Sequence, residues 1–142
     1  GYILNFALDR IDDIEPMPSI KYMESEEGLE ERFYDIVGVT LPQDAQVEKI
    51  LLWVSESQYP YIETKPLHGS QRIIRGVRAE QLHKYYGFDD GHFVEISCIV
   101  NTELKQLIAS FIDQVVVLTP TTLRNEMAER VEALLKRYNS RI

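Results

Sequence analysis

The sequence predicts an α+β fold. The expected architecture is a ferredoxin-like split βαβ (βαββαβ) antiparallel sheet with an extra C-terminal helix, preceded by a leftover strand and a linker helix. Three observations predict it. Short segments with apolar residues at every second position recur from Val47 onward, as half-buried strands require. Between and after them lie segments whose apolar residues repeat at helical spacing behind capping residues. The order from Val47 is strand, helix, strand, strand, helix, strand, helix, and its first six elements are the split βαβ pattern.

In the segment VEKILLWV, Val47 to Val54, residues Ile50, Leu52 and Val54 face one side while Leu51 and Trp53 face the other. Both faces of this strand are therefore expected to be covered. Ser55 is placed to cap a helix from Glu56 to about Thr64, which Pro60 weakens. PLHGS, Pro66 to Ser70, is turn-rich, and Gln71 to Val77 is strand-like. A long connection follows, with Asp90-Gly91 as a tight turn. HFVEISCIV, His92 to Val100, is the cleanest strand, with Val94, Ile96, Cys98 and Val100 inward. Asn101 or Thr102 caps the next helix, whose stripe is Leu104, Leu107, Ile108 and Phe111, and Glu103 suits its first turn. QVVVL, Gln114 to Leu118, is a β-branched strand. Thr119 and Pro120 open a final helix lined by Leu123, Met127, Val131, Leu134, Leu135 and Tyr138.

Upstream, Tyr2 to Ile11 (YILNFALDRI) alternates like a strand, with no neighbour nearby to pair with. It is expected to end a domain that lies upstream, so that the chain is a fragment. Two prolines in EPMPS, Glu15 to Ser19, break regular structure. Leu29 to Gly38 is predicted to be a short linker helix with Gly38 as its left-handed cap. The domain boundaries predicted are 1–20 for the terminal strand, 21–46 for an acidic linker and 47–142 for the ferredoxin-like domain.

At 142 residues, 44% hydrophobic and 27% charged, the chain is large enough to bury a real core. Its longest unbroken apolar run is Ile50 to Val54, far short of a membrane span, so no membrane partner is expected. The lone cysteine, Cys98, excludes a disulfide framework and suits a reducing compartment such as the cytoplasm. Asp9 to Asp35 carries ten acidic and three basic residues of a chain whose net charge is -8. Such a front is a poor surface for a phosphate backbone and is expected to be a solvated linker.

No phosphate loop, GxGxxG, HExxH or GxSxG occurs in the sequence. No catalytic residue, metal site or cofactor is expected, and Cys98 reads as a small buried hydrophobe. The densest polar cluster is KPLHGSQRIIR, Lys65 to Arg75, which includes His68, Ser70, Gln71, Arg72 and Arg75. Two readings compete: an anion or polar-ligand site at the mouth of the sheet, or a solvated loop whose side chains satisfy local backbone. Tyr59, Tyr61, Tyr85, Tyr86 and Phe88 are expected to pack in the core or an interface, since a base-stacking platform needs a basic groove beside it. A small enzyme using His68 with Glu95 or Asp90 is a rival that requires these side chains to converge.

Five stretches carry a resemblance: YILNFALDRI, ERFYDIVGVT, PLHGSQ, VNTELKQLIASF and VVVLTPTTLRNEM. In their order the chain resembles the C-terminal part of bacterial WYL-domain transcriptional regulators. The resemblance implies the end of a WYL barrel followed by a ferredoxin-like extension that helps dimerise and transmit a signal. It implies a small ligand or single-stranded nucleic acid as effector, and DNA contact only through a separate N-terminal domain. Arg10 matches the arginine of LDRI, often at the ligand surface, and His68, Ser70 and Gln71 match the H-x-S-Q stretch. Asn101, Glu103 and Leu104 match the N-x-E-L helix start, and Leu123 with Arg124 the LR after the last strand. The expected ligand-binding set is Arg10, His68, Ser70, Gln71, Arg72 and Arg75. The alternative is a stand-alone small-molecule-binding module of the same shape.

Overall fold

The computed structural model describes residues 8–24 and 31–140. Four strands form one sheet: β1 (Val47–Val54), β2 (Arg72–Ile74), β3 (His92–Ile99) and β4 (Val115–Thr119). Their spatial order is β2-β3-β1-β4 and every neighbouring pair is antiparallel, the arrangement expected for a split βαβ fold. Helices α1 (Tyr59–Thr64), α2 (Val77–Tyr86), α3 (Thr102–Ser110) and α4 (Thr121–Asn139) complete it.

β1 and β3 pair along eight residues, from Val47 opposite Ile99 to Val54 opposite His92. Alternation then divides the core into two layers. On one face Ile50, Leu52, Val54, Val94, Ile96, Cys98, Val115 and Val117 pack against Ile62 of α1, Leu104 and Ile108 of α3 and Leu123 of α4. On the other face Leu51, Trp53, Ile74, Phe93 and Leu118 pack against Ala79, Leu82 and Tyr86 of α2 and Phe88 beyond it.

The second layer departs from expectation. The segment between β2 and β3, expected as a long connection, contains α2, and this helix supplies the cover on the second face of the sheet. Trp53 holds this layer in place: its indole N–H donates to the Asp90 carbonyl at 2.8 Å, and its ring stacks on Phe88 at 4.7 Å. In place of the expected tight turn, a bend at Asp89–Asp90 leading into Gly91 allows that approach. A Cβ on Gly91 would sit against the Trp53 indole and 2.6 Å from the Val54 carbonyl oxygen, and the residue's φ is +83°.

Smaller departures have local causes. α1 starts at Tyr59, because Ser55 caps a preceding turn by accepting from the Gln58 amide at 3.2 Å. β2 is only Arg72–Ile74, and α4 begins after Pro120, one residue later than expected. Of the predicted linker helix, residues 29–30 lie outside the described residues; the rest holds a single 3₁₀ turn, Glu31–Phe33, and Gly38 adopts a left-handed φ of 76°. Of the predicted leading strand, residues 2–7 lie outside the described residues, and Leu8–Arg10 is an exposed 3₁₀ turn rather than a strand.

A Gly91→Ala variant is expected to lose about 1–3 kcal/mol through overpacking against β1. A melting temperature unchanged from the parent chain would show that the bend tolerates a side chain and contradict the close-approach reading.

Candidate functional site: the His68–Arg75 loop and the Asn101–Glu103 corner

The loop between α1 and β2 is anchored by Leu67, which is buried in the helix-side core. Gln71 ties the loop to α1. Its amide oxygen accepts from the Leu67 N–H and its NH₂ donates to the Ile62 carbonyl, both at 2.9 Å. Continuing the Arg72-to-Glu95 register by two residues places Ser70 opposite Ser97. There the Ser70 hydroxyl stands in for a backbone pair, accepting from the Ser97 N–H at 2.8 Å and lying 3.0 Å from the Ser97 carbonyl. His68 Nδ1 lies 2.7 Å from the same hydroxyl and accepts from the Ser70 amide at 3.2 Å. This network assigns the proton of the neutral ring to Nε2.

The expected ligand set is therefore only partly assembled. His68, Ser70 and Gln71 lie together: Ser70 holds the loop to the sheet, Gln71 holds it to α1, and His68 Nδ1 braces Ser70. Arg72 is exposed on edge strand β2, and Arg10 is exposed in the Leu8–Arg10 turn. Arg75 pairs with Glu63 at 3.3 Å, both largely exposed, a geometry that contributes little to stability. Glu95 is held by Arg78 at 2.9 Å and His68 by Ser70, so no His68–Glu95 pair forms. His92 stacks on Tyr59 at 3.7 Å and lies 3.2 Å from Glu56. His83 is bonded to the Phe88 carbonyl at 2.9 Å. Among the described residues no group of three or more His, Cys, Asp or Glu is placed to hold a metal ion.

The second polar centre is the corner where β3 turns into α3. Asn101 is the one buried polar residue among those described, at 2% exposure. Its Oδ1 caps α3 by accepting from the Leu104 amide at 2.9 Å, as its sequence position implies. Its NH₂ donates to two carbonyls more than sixty positions earlier: Val37 at 2.8 Å and Thr40 at 2.9 Å. Two residues on, Glu103 Oε1 accepts from the Thr40 hydroxyl at 2.7 Å and from the amides of Thr40 at 3.0 Å and Val39 at 3.3 Å. The Thr40 hydroxyl is the largest influence holding the Glu103 carboxyl below its ordinary pKa; burial pushes the other way, and backbone N–H groups add to the lowering. Sequence reasoning found the cap and the favourable first-turn Glu. It missed their long-range partners, for which the positive φ of Gly38 was the sole local signal.

Cys98 lies on the helix-side face, and its thiol pKa is pushed up to about 11 by burial first and then by Asp35 and Glu48. Beyond Met127, α4 is exposed on every side, and Val131, Leu134, Leu135 and Tyr138 form a bare apolar stripe with exposures of 58%, 42%, 59% and 80%. No described helix is long and apolar enough to cross a membrane.

Residues 46–135, 90 of the 142, match the family model described as WCX domain. No curated protein matches the chain.

Two measurements check this geometry. Ser70→Ala is expected to cost about 1–3 kcal/mol, because it leaves the Ser97 backbone without its partner; an unchanged melting temperature would contradict the stand-in role. Cys98 is expected to resist thiol reagents at mildly alkaline pH until the chain unfolds, since only the thiolate reacts; rapid labelling of the folded chain would contradict its burial.

Proposed function

The chain belongs to the WCX domain family, and from that premise we propose that it is the regulatory, non-catalytic C-terminal domain of a WYL-type transcription regulator and dimerises through α4. WCX domains are found in WYL-associated regulators, and that association supports the regulatory role. The single observation that carries the dimer is the bare stripe of α4. An amphipathic helix whose apolar side meets only water is unfavourable unless a partner covers it. The spacing of Met127, Val131, Leu134 and Tyr138 is four, three and four residues, the rhythm of a coiled-coil seam.

The magnitudes indicate a reversible pair. Covering four such side chains on each of two helices contributes on the order of 10 kcal/mol. Association costs about 4–15 kcal/mol in lost freedom of motion. The dimer is therefore expected to dissociate on dilution.

A domain of this kind needs no reacting group. It needs two states that an effector stabilises unequally and an interface that reports the difference. The effector class we assign is a small ligand or a short single-stranded nucleic acid. DNA reading is assigned to a separate domain, because the net charge of -8 makes this chain a poor grip on phosphate.

Sedimentation equilibrium tests the dimer. The chain is expected to reach twice 16.5 kDa at high concentration, and Val131→Glu with Leu134→Glu to remain monomeric with an unchanged far-UV spectrum. A parent chain that stays monomeric at all attainable concentrations would overturn the α4 interface.

A further inference from the structure

We propose that residues 35–40 are a strap that detaches from the β3–α3 corner as a unit while the sheet stays folded, making this corner the point where an upstream segment is coupled to the domain. The inference goes beyond the dimer and stands whether or not α4 pairs.

The strap lies outside the residues that match the family model, which begin at 46, yet it is docked on the domain. The Asp35 carbonyl accepts from the Ile99 amide at the last pair of the β1–β3 ladder. Ile36 is 5% exposed, and Val37 packs against the helix-side core. The chain then reverses at Gly38. A Cβ there would lie 2.6 Å from Cγ and 2.9 Å from Cβ of Glu103, at a φ of +76°. The reversal brings the carbonyls of Val37 and Thr40 to one donor group and the amides of Val39 and Thr40 to one carboxylate oxygen. Neighbouring amides curled about an anion form a nest, and here the anion comes from the domain itself.

Three features make this a separable unit rather than part of the core. Among the described residues, the side chains that bond its backbone are Asn101 and Glu103, two positions apart, so these bonds form and break together. Its flanks are open, with Tyr34 at 66% and Leu41 at 39% exposure. Its seat is also imperfect. Glu103 Oε2 is enclosed without a protein partner, so the carboxylate holds the strap through Oε1 alone. Segments with few buried apolar contacts open before the sheet they rest on.

Residue-resolved amide hydrogen exchange on the full chain tests the proposal. The amides of Val39, Thr40 and Ile99 are expected to share one level of protection, below that of Ile50, Val94 and Ile96. Glu103→Gln is expected to speed exchange of those three about tenfold or more and leave the β1–β3 core unchanged. Asn101→Asp, which keeps the α3 cap but removes both donors, is expected to give the same pattern. Should Asn101→Asp fail to fold, Glu103→Gln alone decides. Equal protection of strap and core, no protection of the strap, or a Glu103→Gln effect spread evenly over the sheet would each overturn it.

Discussion

Everything in this domain is placed by the pairing of β1 with β3. Side chains on a strand alternate between faces, and from Ile50 to Val54 every residue of β1 is apolar and buried. A central strand of that kind cannot leave either side to water. It therefore requires two covering layers: α1, α3 and the start of α4 on one side, and α2 with the Phe88 turn on the other. The remaining features attach to the same ladder. Ser70 joins it at Ser97, the strap at Ile99, and the Gly91 bend at Val54.

What was legible in the sequence followed from local periodicity. The strands, the Asn101 cap, the α3 stripe and the final helix each declare themselves within ten or twenty residues, and the split βαβ order follows from them. The doubled face of β1 was also visible, because Leu51 and Trp53 break the simple alternation. α2 was not. None of its residues is fully buried, its apolar contacts with the sheet are the half-buried Ala79, Leu82 and Tyr86, and its N-terminal cap position is Gly76, which has no side chain to cap with. Phe93, fully buried, would have signalled the second layer, since it points away from Val94 and Ile96.

The linker misled in a different way. Phe33, Ile36 and Val37 have helical spacing, but Ile36 is buried, Val37 is half-buried against the helix-side core of the sheet, and Phe33 is 41% exposed. Short-range pattern cannot report a partner distant in the chain. The His68–Gln71 cluster was visible as polar density. Its chemistry depended on register, which is set only when β2 meets β3: once Ser70 faces Ser97, the hydroxyl completes the ladder. In the structure Ser70 and Gln71 satisfy backbone groups of Ser97, Leu67 and Ile62, while Arg72 remains exposed.

The domain is thus a sheet with two covered faces, to which a strap and a projecting helix are attached. The most direct test of this arrangement is chemical denaturation followed by two probes on opposite faces of β1. Emission of the single tryptophan, Trp53, reports the α2 side, and accessibility of the single cysteine, Cys98, reports the α1–α3 side. Because β1 and β3 are common to both layers, the account predicts coincident transitions with one midpoint. A Trp53 transition at clearly lower denaturant, with Cys98 still protected, would show that the α2 layer is dispensable and contradict the premise that the central strand needs both.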